Sequence, residues 1–170
     1  MRKAIIFLFL LPLMAFQCYN SEPWNPYSEY KPILMKRTQL ENSVHFTEKQ
    51  NLVRPGKIYF KGDTIYVNEK YKGVHVIDNS RPESPNVVGF ITIPGCIDMA
   101  VKKNVLYADN AVDLVAVQLS QNLSDITVTK RIRNVFPELT APDQLDLEPA
   151  YQPGNRPENT IIVAWEKIKL

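Results

Sequence analysis

Three carboxylates, Asp98, Asp109 and Asp113, are the side chains of this sequence whose type and spacing would do chemistry. Brought together at loop ends, they would hold Ca²⁺ through their oxygens or divide into an acid and a base. The same positions have plainer roles. Asp109-Asn110 is a natural turn pair, and Asp98 stands where an internal repeat has Tyr59 in its first copy, so no ligand position recurs. The histidines, His45 and His75, are 30 residues apart with no cysteine or carboxylate at a recognised ligand spacing. His75 alternates with Val74 and Val76 and is expected on the opposite, solvent-facing side of a strand. There is no G-x-S-x-G elbow, no cysteine near a suitable histidine and no Gly-rich phosphate loop, and no cofactor is implied. Tyr59, Tyr66, Tyr71 and Tyr107 offer ring faces for sugars, but Tyr66 and Tyr107 share one repeat position, which packing between sheets explains.

Cys18 carries chemistry of another kind. Residues 1–18 read MRKAIIFLFLLPLMAFQC: a basic start, then an apolar run over 4–16. About 20 residues are needed to span a bilayer, so this run is expected to be a signal-peptide core (1–17) that exports the chain. Cys18 then falls where a lipoprotein signal ends and a lipid would be attached; Ala15 suits such a site, Phe16 and Gln17 depart from it. The other reading open to an exported chain with two cysteines is a disulfide from Cys18 to Cys96. The stretch after Cys18 has the composition of a tether, whereas Cys96 opens a β run and reads as a small buried hydrophobe.

These residues must be positioned by a strand-rich phrase written twice over residues 56–120: GKIYFKGDTIYVNEKYKGVHVIDNS, then GCIDMAVKKNVLYADNAVDLVAVQLS. Gly56, Gly95 and Asn134 fall 39 residues apart, a repeat in the range of a four-stranded propeller blade. Alternation predicts strands at 57–61, 64–68, 73–78 and 87–93, then at 97–102, 105–109, 114–119 and 126–132. Gly62-Asp63 is expected to turn a hairpin. Residues 137–158, with five prolines and no alternation, read as a long exposed excursion, and only 160–168 resumes a β pattern. Thr38 and Glu41 have capping-box spacing, predicting a short helix within 36–44. The expected organisation is signal peptide 1–17, tether and short helix 18–55, and blade-like units at 56–94, 95–133 and, incomplete, 134–170. The fold class is all-β, antiparallel, part of a β-propeller.

The +2 formal charge is supplied by Arg2 and Lys3, leaving 18 basic against 18 acidic residues. A nucleic-acid binder would show a basic stripe, so nucleic acid is not an expected partner.

The phrases RPGKIYFKGDTIYVNEKYKGVHVIDNS, PGCIDMAVKKNVLYADNAVDLVAVQLS, VTKRIRNVFPEL and YKPILMKRTQLENSV resemble the LVIVD-repeat proteins, propeller-like secreted lipoproteins of Bacteroidetes. VHVID at 74–78 is close to the motif, and LVAVQ at 114–118 lacks its final acid. The resemblance implies a lipid on Cys18, an outer-membrane location facing either side, and a chain that would be the front part of a longer repeat array. It transfers no catalytic residue. Three functions follow as expectations: a binding or scaffold module with a protein or glycan ligand, an envelope enzyme or Ca²⁺- or glycan-binding protein using the loop carboxylates, and a truncated copy without function. Open sheet edges would also favour self-association.

Overall fold

The computed structural model describes residues 25–168. Strand β1 (Tyr30–Lys36) leads into one helical turn, α1 (Arg37–Glu41), and then the short β2 (His45–Thr47). Strands β3 (Pro55–Lys61), β4 (Thr64–Glu69), β5 (Gly73–Asp78) and β6 (Asn86–Thr92) follow as a meander. A second meander comprises β7 (Met99–Lys102), β8 (Val105–Asn110), β9 (Asp113–Leu119) and β10 (Ile126–Ile132), and β11 (Thr160–Lys167) comes last. The alternating runs form strands because every second side chain can be buried on one face of a pleated sheet. Gly62, at φ 55°, makes the β3–β4 turn in the left-handed region that glycine enters without a steric cost.

The first sheet has the order β2-β6-β5-β4-β3 and the second β10-β9-β8-β7, and all their pairings are antiparallel. The two sheets bury one face each in a shared core. Tyr66, Val74, Val76 and Ile91 of the first meet Leu106, Ala108, Val115 and Val117 of the second. Val74, Val76, Val115 and Val117 are completely buried, so the period of two reads the core correctly. Each such valine is worth about 1.5 to 3 kcal/mol of burial. The Tyr59 hydroxyl donates to the Val101 carbonyl at 3.0 Å and ties β3 to β7.

The stretch expected to be a tether is instead folded into the structure from its middle onward. Strand β1 pairs antiparallel with β11, from Tyr30 opposite Lys167 to Lys36 opposite Thr160, with a bulge at Ile33/Leu34. β2 joins the edge of the first sheet beside β6. The reason lies in distance: the partner of β1 is some 130 residues away, and no local pattern announces a pairing of that range. Residues 134–170 therefore contribute one described strand to a two-stranded sheet rather than starting another meander.

The excursion is also less exposed than its composition suggests. Ala141 is buried, and Leu139 and Leu147 pack with Ile162, Trp165, Tyr30 and Leu34. A 3₁₀ turn at Pro149–Tyr151 interrupts it. Helix α1 caps through Lys36 rather than the Thr38–Glu41 spacing: the Lys36 backbone N–H donates to Gln39 Oε1 at 3.2 Å. Leu40, completely buried, joins Ile161, Val163, Ala111 and Val112 in a cluster that fastens the small sheet to the tip of the β8–β9 hairpin. Among the described residues the antiparallel sheets close neither a barrel nor a propeller.

Candidate functional site

The carboxylates are first of all brackets for the turns between sheets. Asp109, near the end of β8, is almost fully buried, and its Oδ1 accepts the backbone N–H of Ile97 at 3.0 Å and of Asp98 at 2.9 Å. Glu69, the last residue of β4, does the same for the first sheet: Val53 N donates at 3.0 Å and Arg54 N at 2.6 Å. In each meander an acid at the end of the second strand holds the chain on its way into the first. Asp143 repeats the device in the excursion, accepting from Ser28 Oγ, Glu29 N and Leu145 N.

Asp98, Asp109 and Asp113 sit in three different surroundings. Asp98 is exposed and paired with Lys57. Its carboxyl is held below the ordinary value, first by the bond from Lys57, with burial working against the shift and the Met99 backbone N–H adding to it. Asp113 has no exposed side-chain surface and is clamped by Arg37 and Arg131, with Asn134 N as a further donor at 3.1 Å. Among the described residues no group of three His, Cys, Asp or Glu side chains could hold a metal ion. A carboxylate whose oxygens are already filled by backbone N–H groups and guanidinia has little left to offer a cation.

Asp98 and Asp109 do share a cavity. A cleft of about 760 Å³ opens between the outer face of the second sheet and residues 136–144, with Tyr71, Tyr107 and Phe136 among its aromatic lining and Lys70, Glu138 and Gln144 among its polar lining. Tyr107 and Phe136 each keep 38% of their surface exposed there. Tyr107 thus parts from Tyr66: the two share a repeat position, but Tyr66 is buried in the core while Tyr107 faces the cleft. Glu138 is neutralised by Arg156, and Lys70 lies over the Tyr71 ring, 5.1 Å from its centroid. Burial pushes the Asp109 carboxyl above its ordinary value, although the N–H groups of Asp98 and Ile97 work against the shift. The cleft is therefore a mixed one, with ring faces beside a desolvated acid. Sequence reasoning missed Phe136, Glu138 and Gln144, because they lie in the one long stretch without periodicity. It also missed Glu69, whose signal is its place at the end of β4.

His75 is not on the solvent side. It is 1% exposed, its Nε2 stands 3.4 Å from Glu69 Oε2, and its ring meets Phe90 edge-on at 4.8 Å. The alternation puts it opposite Val74 and Val76 as expected, but that second face is covered by Phe90, Glu69 and the turn through Val53 and Arg54. His45, by contrast, is exposed and bonded to the Ser43 carbonyl. Cys96 is completely buried beside Asn68, its thiol pushed well up by burial and by Asp109. Cys18 and residues 1–17 lie outside the described residues. No helix among the described residues is long and apolar enough to cross a membrane. Comparison with protein-family models, with curated proteins and with solved structures finds no match to this chain.

Proposed function

We propose that this chain is an exported, lipid-anchored protein of the cell envelope, held at the outer membrane through Cys18, that works as a binding or scaffold module of the LVIVD-repeat kind. Its two larger sheets are read as blade-like units. The observation that carries the binding role is the cleft over the second sheet, where Tyr107 and Phe136 leave their rings exposed beside Asp98 and Asp109. Such a lining suits a sugar chain, whose ring faces stack on aromatics while hydroxyls bond to acids and amides. A glycan-binding screen with the wild type and Tyr107→Ala tests it. Binding that Tyr107→Ala weakens about tenfold or more supports the cleft; binding unchanged by that substitution removes it. For the anchor, radiolabelled palmitate should label the wild type and not Cys18→Ala, and labelling of both or neither removes that part.

A second reading is favoured by one observation, the raised carboxyl of Asp109. An acid that stays protonated above the ordinary range can donate a proton to a leaving oxygen, with Asp98 as the ionised partner. Turnover of a bound glycan that Asp109→Asn abolishes while leaving binding intact would select this enzyme reading over the module.

A further inference from the structure

The first sheet has an outer face that its core does not explain. Ile58 is 69% exposed and Phe60 61%, on the same side of β3. They sit opposite Val67 and Ile65 of β4. Leu52 and Val53 extend the patch from the neighbouring turn, at 49% and 64% exposure. That turn is rigidly placed, because Glu69 takes the N–H groups of Val53 and Arg54. Exposed large aliphatic and aromatic side chains held together on a fixed strand and turn mark an interaction surface.

The charge around the patch identifies its partner. Residues 49–62 contain Lys49, Arg54, Lys57 and Lys61 and no acid, with Glu48 and Asp63 just outside. Lys57 is shared with Asp98, and Lys57 and Lys61 alternate with Ile58 and Phe60 on β3, so that along this edge strand of the sheet basic side chains leave one side and apolar ones the other, and a surface met edge-on touches both. A second copy of the chain fits poorly. Antiparallel pairing of two β3 edges about Tyr59 would set Lys57 opposite Lys61, and like charges across a ladder repel. An anionic bilayer meets both requirements at once, taking the apolar side chains between headgroups and the basic ones against phosphate.

We propose that the Leu52, Val53, Ile58 and Phe60 patch, with its flanking Lys49, Arg54, Lys57 and Lys61, docks the protein on the surface of an anionic lipid bilayer. This contact goes beyond the lipid on Cys18 and does not depend on it: a lipid chain would hold the protein near a membrane, and the patch would fix which side faces it.

Amide hydrogen exchange of the full chain tests this locally. With vesicles of equal parts phosphatidylglycerol and phosphatidylcholine, exchange over residues 52–60 should slow about tenfold, with less slowing on pure phosphatidylcholine and less at high salt. In the double variant Ile58→Ser/Phe60→Ser the protection of 52–60 should vanish, while the exchange of β4 and β5 without vesicles stays as in the wild type. No slowing at 52–60, or slowing that the double variant keeps, overturns the proposal. Slowing without vesicles that grows with protein concentration also overturns it, in favour of a second copy as the occupant.

Discussion

Arg131 reaches Asp113 at 2.8 Å through its Nη1, on a carboxylate that has no side-chain surface in contact with solvent. The same guanidinium bonds Asn110 Oδ1 at 2.7 Å and the carbonyls of Leu40 and Glu41 at 3.3 Å, so one side chain joins β10, the β8–β9 hairpin and α1. Arg37 completes the clamp at 2.9 Å. Removing one partner of a buried pair leaves the others uncompensated, so Asp113→Ala should cost about 3 to 5 kcal/mol. Asp98→Ala, which breaks the exposed pair with Lys57 and the bond from the Met99 backbone N–H, should cost about 1 to 2 kcal/mol. Urea midpoints of the two variants check the contrast, and equal midpoints would contradict it.

Both faces of β5 are closed, which makes His75 as sensitive as its neighbours. Val74→Asp and Val115→Asp each place an unpaired charge in the core between the sheets and should cost several kcal/mol, on the order of the burial lost plus the desolvation of a carboxylate. His75→Asp should also destabilise strongly, because it sets a second carboxylate against buried Glu69. A melting temperature within experimental error of the wild type for His75→Asp would mean that this face opens in solution.

What the sequence makes legible here is whatever is local. The strands from Thr64 to Ile132 lie within a residue or two of where alternation puts them, and the four valines are buried as their period requires. The glycine that opens each copy of the repeat has a contact behind it: a Cβ on Gly56 would collide with Asn68 Oδ1, and one on Gly95 would lie 2.7 Å from Ala111. What stays hidden is long-range. Leu34 and Ile162 pair across the chain, Asp143 grips Ser28, and Phe136 arrives at Tyr107 from a stretch without pattern. His75 fails for a related reason. Period two separates the faces of a strand, but which face is covered depends on a turn that the period does not describe.

Glu69 and Asp109 do the same mechanical work and should answer pH with opposite signs. Burial pushes Asp109 above its ordinary 3.8, whereas for Glu69 burial is outweighed by the N–H groups of Val53 and Arg54, by His75 and by Lys72, which together hold it below 4.5. A raised carboxyl favours folding while protonated, so the Asp109 contribution is complete below 3.8 and is lost as pH rises through its folded value. The Glu69 contribution is complete above 4.5 and is lost as pH falls through its lowered folded value. Measured by urea unfolding from about pH 3 to about 7, Asp109→Asn should gain on the wild type as pH rises, and Glu69→Gln should lose ground over the same interval. Parallel curves for the two variants would contradict the assignment.

The pairing of β1 with β11 decides whether the two-stranded sheet is an independent appendage or part of one folding unit. Two strands alone are marginal in water, so this sheet must draw its stability from what it packs against. Ile161 and Val163 lie with Leu40 on Ala111 and Val112 of the second sheet, and Ile162 and Trp165 lie under the excursion with Ala141. Those contacts bind it to the rest of the molecule on both faces. Ile162→Ala should therefore cost about 2 to 5 kcal/mol of global stability rather than melt the small sheet alone. In a Trp24→Phe background, the fluorescence of buried Trp165 and the far-ultraviolet circular dichroism of all the strands should follow one thermal transition, in the wild type and in Ile162→Ala alike. A Trp165 transition that precedes the loss of strand signal would show that the small sheet detaches first, and that the two larger sheets stand without it.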